Sequence, residues 1–312
     1  MNTKNRWLFG LLIGWIVCSG SPVWAQTADE PTYPGVVYHA DEQTLDIYLP
    51  PDDKDPFPII FMITDYTQPS DPIMYPDREH FLEQGYAAVI VRFRPDFPAV
   101  LEDTLCALAW LHTNASDYKL DARQVIVYGY ASGGLVASLL ASIDDPAPFL
   151  EDCPHTLPEG AHIRGVVTFA AAFNTPELTW TDMPDEVQTF SRAVLPTRWI
   201  DGSEPPFLII HGDDDAVVDP EEPVAFAETL EQAGVDVELI MLRGHGHGLA
   251  LFRRLVPEAD DAVDAFIDRA RHPEEYVIIW KIITRETILC LFPPAPITCW
   301  RRSNNPAVPS AA

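Results

Sequence analysis

Val125-Ile126-Val127-Tyr128-Gly129-Tyr130-Ala131-Ser132-Gly133-Gly134 is an apolar, β-branched run that meets a glycine-rich corner. Leu135-Val136-Ala137-Ser138-Leu139-Leu140-Ala141 follows with the composition of a buried helix. Strand, tight turn and helix in that order form an elbow that lifts the side chain at its tip clear of the backbone. Gly129 and Gly133 stand on either side of Ala131, so the tip is an alanine. Ser132 falls one position late.

Working outward, apolar runs at Phe57–Ile63, Tyr86–Val91, Gly165–Phe169 and Phe207–Ile210 are long enough for strands covered on both faces. Thr44–Leu49 alternates apolar and polar residues, which predicts an antiparallel strand with one wet face. Val235–Leu242 predicts a further strand. Helices are predicted over Asp77–Gln84, from Pro98 to Asn114, over Pro220–Ala233 and over Val256–Arg271. Strands alternating with helices predict an α/β fold with a doubly wound, mainly parallel sheet. Residues 173–205 are irregular, and their Trp180 and Trp199 are placed to form a small cap over a cleft.

Two loops carry ionisable groups in a telling order. Phe207-Leu208-Ile209-Ile210-His211-Gly212-Asp213-Asp214-Asp215-Ala216-Val217-Val218 is a buried strand that ends in an acidic turn. Asp215 is the candidate acid, with Val217 and Val218 expected to pack beneath it and His211 expected to be structural. Arg243-Gly244-His245-Gly246-His247-Gly248 follows the next strand. A histidine there, oriented by the acid, is the general base of nucleophilic hydrolysis.

The chain resembles the carboxylesterase-type α/β-hydrolases, near the hormone-sensitive-lipase-like and feruloyl-esterase-like (BD-FAE) branches. The resemblance rests on Leu45–Pro50, Gly85–Val89, Phe97–Asp103, Val125–Gly134, Pro205–Gly212 and Gly246–Gly248, in order across about residues 35–271. It implies the α/β-hydrolase fold, nucleophile, acid and histidine in that chain order, and hydrolysis of small carboxylic esters without a cofactor or metal. Loops of that family favour His247 over His245.

The chain departs from this pattern in two places. At the elbow, either Ala131 holds the nucleophile slot, or the turn slips by one residue and Ser132, Asp215 and His247 form the triad. A slip puts Tyr130 where the tight turn needs a small residue, and it reverses the facing of side chains set by the strand. Unslipped, Ser132 begins the helix. After Ile59–Ile63 the family places His-Gly-Gly-Gly, whereas this chain reads Thr64-Asp65-Tyr66-Thr67-Gln68, with a carboxylate where negative charge should develop.

Lys4 and Arg6, an apolar stretch from Trp7 to Val17 and Val23-Trp24-Ala25 read as a signal peptide over residues 1–25. Residues 26–272 are then the hydrolase domain and 273–312 a C-terminal extension. Within that extension, Tyr276–Phe292 is interrupted by Lys281, Arg285 and Glu286, too charged to span a membrane. The expected destination is secreted or periplasmic. Removing residues 1–25 takes the formal charge from −27 to −29, which disfavours nucleic acid and anionic lipid. The expected ligand is a small, neutral, ester-like molecule. Oligomeric state is not encoded in these features.

Cys106, Cys153, Cys290 and Cys299 remain after cleavage and allow three connectivities. Cys106–Cys153 with Cys290–Cys299 is the favoured pairing because the second pair is local; buried free thiols are the alternative for the first. Three functions are open: a hydrolase-fold protein with impaired chemistry and a retained ligand cleft, an active esterase through Ser132, or an exported partner-binding protein using the tail from Pro273.

Overall fold

Every residue of Phe57–Ile63 and of Ala87–Val91 is buried, because helices cover both faces of the sheet to which they belong. The computed structural model describes residues 30–40, 43–52, 54–64, 78–96, 98–158, 163–173, 195–248 and 256–273. In chain order the strands are β1 (Tyr33–Val37), β2 (Thr44–Tyr48), β3 (Phe57–Ile63), β4 (Ala87–Val91), β5 (Leu120–Tyr130), β6 (Ile163–Phe169), β7 (Phe207–Gly212) and β8 (Val237–Leu242). The helices are α1 (Arg78–Glu83), α2 (Ala99–Asn114), α3 (Ser132–Ser142), α4 (Glu221–Ala233) and α5 (Pro257–Arg271).

The strands form one sheet in the order β1-β2-β4-β3-β5-β6-β7-β8. Antiparallel pairing joins β1 to β2 and β2 to β4, and all other pairs are parallel. Alternation along each strand divides the core in two. Ile59, Phe61 and Ile63 face one cluster with Leu105 and Leu108 of α2, Val136 of α3 and Phe226 of α4. Ile60 and Met62 face the other, with Phe81 of α1 and Val263, Phe266 and Ile267 of α5. This is the doubly wound α/β-hydrolase architecture.

The sheet order places the site. From β3 the chain moves one way through α1 to β4, and α2 carries it back across to β5. From β5 it moves the other way through α3 to β6. The carboxyl ends of β3 and β5 are therefore a topological switch point, where open α/β sheets bind ligands. Ala131 is the first residue beyond β5.

Some expectations change. β2 is antiparallel as expected, but its polar side is not wet. Asp46 is 6% exposed, accepts the Gly35 N–H at 2.9 Å and pairs with Arg92 Nη2 at 2.6 Å. A charge can sit on a covered face when a guanidinium neutralises it. β5 also begins earlier than its apolar run, through Asp121 and Arg123, which pair with each other at 3.0 Å. Cys106 and Cys153 are bonded, tying α2 to the segment after α3. The other cysteines, residues 1–25 expected as a signal peptide, Trp180 and nearly all of the expected C-terminal extension lie outside the described residues. Among the described residues, no helix is long and apolar enough to cross a membrane.

Candidate active site

The elbow is built on steric necessity. Tyr130 is the last residue of β5 and pairs with Phe169 of β6. Ala131 takes φ 50° and ψ −121°, donates its N–H to the Phe169 carbonyl at 3.0 Å and accepts from Gly134 at 3.0 Å. A Cβ on Gly129 would stand 2.6 Å from the Gly133 carbonyl oxygen and 2.8 Å from the Ala137 Cβ. A Cβ on Gly133 would overlap the carbonyls of Ile63 and Thr64. Glycines are thus required two residues before and two after Ala131, and no slip has occurred. Ser132 is the first residue of α3.

A non-glycine residue at positive φ costs roughly 1–3 kcal/mol and persists only where its surroundings enforce it. Here the strand pairing and the contact of α3 with the end of β3 enforce it. Gly133→Ala should therefore destabilise the protein by about 1–3 kcal/mol, since the new methyl meets backbone rather than a movable side chain. A fall in the urea midpoint at unchanged slope would register this, and an unchanged midpoint would mean that the close approach is not needed.

Asp215 lies in the turn after β7, with its side chain fully buried. Its Oδ1 accepts the N–H groups of Val217 at 2.8 Å and Val218 at 3.0 Å. Its Oδ2 is 2.9 Å from His247 Nδ1. Burial pushes the carboxyl up, but the bonds from Val218, Val217 and His247 outweigh it and hold the group below the usual 3.8. With Nδ1 donating to the carboxylate, the free lone pair of a neutral His247 lies on Nε2, the atom a general base uses.

The expected packing of the two valines is half right. Val218 is buried, whereas Val217 is 70% exposed, and what both supply to Asp215 is a backbone N–H. The three consecutive aspartates divide their tasks. Asp213 accepts the Gly244 N–H on its side chain, Asp214 donates its N–H to the His245 carbonyl at 3.0 Å, and Asp215 holds His247. A Cβ on Gly212 would overlap the His245 carbonyl, so glycine lets the acid and histidine loops close on each other. His245 turns its Nδ1 to the Arg243 carbonyl at 2.9 Å, and it is His247 that the carboxylate holds.

His211 is fully buried, with Nε2 shared between the Val218 carbonyl and Asp215 Oδ2, each at 3.3 Å. Among the described residues its Nδ1 has no hydrogen-bond partner. Burial pushes this ring below the usual 6.5, more than the Val218 bond and the Asp215 charge raise it. Below pH 6.5 an unfolded chain takes up a proton that the native His211 refuses. Its contribution to stability is therefore complete above that pH and lost as pH falls from there through the lowered native value. Urea titrations from about pH 8 to about pH 5 should show a shallower acid-side loss for His211→Gln than for the natural chain. Parallel curves would rule this group out as a source of acid sensitivity.

Tyr130 is a site residue that pattern alone did not reveal. It is 7% exposed, donates its hydroxyl to the His247 carbonyl at 3.2 Å and sets its ring centroid 5.7 Å from the imidazole. The residue preceding the elbow tip thus touches the histidine loop. Trp199, expected over the cleft, is half-buried against the core cluster of α2, α3 and α4. Thr64 is buried at the end of β3, and Asp65 lies outside the described residues.

Comparison with known proteins agrees with this architecture. A family model described as BD-FAE matches residues 45–230. Esterase LipQ of Mycobacterium tuberculosis is 27% identical over 230 residues, covering 67% of this chain and 54% of that protein. Carboxylesterase NlhH of the same organism is 26% identical over 220 residues, covering 60% of this chain and 66% of its own. The chain spans about half the length of the first of these curated relatives. Among solved structures, the native thermophilic esterase Est2 of Thermogutta terrifontis matches with a TM-score of 0.61 at 21% identity, covering 76% of this chain and 94% of that one. A truncated carbohydrate esterase from gut microbiota matches with a TM-score of 0.58 at 22% identity, covering 76% and 95%.

Proposed function

The chain belongs to the BD-FAE family, and from that premise we propose an exported carboxylesterase-type protein that has lost the acyl-enzyme route of its fold. It keeps a cleft for small, neutral, ester-like molecules. One observation carries this: the strained tip of the elbow is Ala131, while the Asp215–His247 pair stands assembled with its histidine against Tyr130, the residue before the tip. A methyl group cannot be acylated. Loss of the nucleophile costs about 10⁶ in rate in a measured protease. Loss of one oxyanion donor costs on the order of 10²–10³. The alanine therefore dominates whatever the loop after β3 contributes.

Export is supported by the basic start and apolar stretch before Ala25, and the Cys106–Cys153 bond suits an oxidising compartment. The mass of the exported chain checks it: cleavage before Gln26 is expected, and a retained N-terminus would refute it.

The chemistry is tested with a fluorophosphonate probe together with p-nitrophenyl acetate and butyrate. No serine should be labelled, and p-nitrophenol should be released without a burst. Stoichiometric labelling of Ser132 would overturn the proposal and establish a serine esterase working one residue past the tip.

A further inference from the structure

Resting on that reading, we propose that the site retains a second, one-step activity: Asp215 and His247 act as a general base on water and hydrolyse activated carboxylic esters. The geometry that carries this is the set of interactions holding His247 in place. Asp215 is fully buried, ionised and turned to His247 Nδ1 at 2.9 Å. The Asp214 N–H, the Asp213 side chain and the close approach at Gly212 fix the histidine loop from one side. Tyr130 fixes it from the other, through the His247 carbonyl. Ala131 keeps the conformation that would aim a hydroxyl. Alanine in place of serine removes the one hydroxyl oxygen that would occupy that position, and a water needs only about one probe sphere and two to four polar partners. His247 Nε2 is one such partner.

The step balances without any further reactant. The water oxygen bonds to the ester carbonyl carbon as one of its protons passes to His247 Nε2. The carbonyl π electrons move onto oxygen, where the positive end of the α3 dipole favours them. Collapse of the tetrahedral intermediate breaks the bond to the leaving oxygen, which takes the proton from His247. The products are a carboxylic acid and the alcohol or phenol of the leaving group, and the ring returns to its neutral form. No bond to the protein forms, so no acyl intermediate accumulates.

The substrate class follows from magnitude. General acid–base catalysis alone supplies about 10²–10⁴ in rate. That is too little for an alkyl ester with a poor leaving group, and enough for aryl esters, whose leaving group departs with little assistance. The site thus prefers activated acyl compounds over the alkyl esters that an acyl-enzyme route handles.

The test uses the mature full-length protein, pretreated with the fluorophosphonate to silence any contaminating serine esterase. Release of p-nitrophenol from p-nitrophenyl acetate should exceed the buffer rate by about 10²–10⁴, with no burst. His247→Gln should bring it to the buffer rate and Asp215→Asn should lower it, with urea midpoints confirming that both variants fold. If either variant fails to fold, the absence of any excess rate in the natural protein remains decisive. A treated protein no faster than buffer, or a His247→Gln variant as fast as the natural one, overturns this inference. The loss of the acyl-enzyme route is judged separately: stoichiometric labelling of Ser132 overturns it, whatever the rate of the treated protein.

Discussion

Ala131→Ser should convert the protein into a serine esterase, labelled stoichiometrically by a fluorophosphonate at position 131 and showing a burst with p-nitrophenyl butyrate. The expectation rests on how little else must change. The backbone already holds φ 50° and ψ −121° there, so a serine Cβ would leave the chain in the direction the alanine Cβ now takes. Asp215 is already ionised and His247 already turned to it at 2.9 Å. Restoring a nucleophile is worth up to about 10⁶ by the measured protease comparison. The loop after β3 reads Thr64-Asp65-Tyr66 with no glycine, so one oxyanion donor, worth about 10²–10³, is charged against that gain. The expected net increase is about 10³-fold, or roughly 4 kcal/mol of barrier. Labelling without faster turnover would place the remaining defect in the oxyanion loop, and glycines near Asp65 would be the next substitution. No labelling at all would mean that the His247 ring does not reach the tip, and would sink both the dyad geometry and the one-step hydrolysis.

How far this arrangement was legible in the sequence depended on whether its cause was local. The central strands announced themselves because a sheet buried on both faces needs unbroken apolar runs, and Phe57–Ile63 and Phe207–Ile210 are such runs. The tip of the elbow was legible because close packing demands glycine at Gly129 and Gly133, and that spacing leaves Ala131 in the middle. The choice of His247 over His245 came from a loop pattern, and the hydrogen bond to Asp215 agrees with it. Causes that act between distant segments were not legible. β1 contains Pro34 and Gly35, which suit an edge strand but carry no strand signal of their own. Asp46 read as a wet position because alternation cannot reveal that Arg92, on the chain beyond β4, comes to neutralise it. Tyr130 looked only like an obstacle to a slipped turn, because its partner His247 lies 117 residues away. Val217 looked like core because it is a valine, although its backbone N–H is what the site uses.

Replacing Cys106 and Cys153 together by alanine should lower the unfolding free energy by about 4 kcal/mol, the chain-entropy value for closing a loop of this size. The bonded cysteines are 47 residues apart. That loop contains the end of α2, all of β5, the strained tip at Ala131 and all of α3. Cutting it frees the unfolded chain far more than the folded one, where Cys106 is 2% exposed within α2 and the segment around Cys153 still packs against the same core. For a domain whose stability is about 5–15 kcal/mol, the loss is a large fraction of the whole. It also reaches the site, since a positive-φ alanine survives only while the elements on both sides of it are held. Urea unfolding of the double variant should show a lower midpoint at similar slope. A midpoint unchanged from the natural protein would mean that packing between α2 and α3 alone holds the elbow, and that the bond adds nothing to the frame on which Ala131 depends.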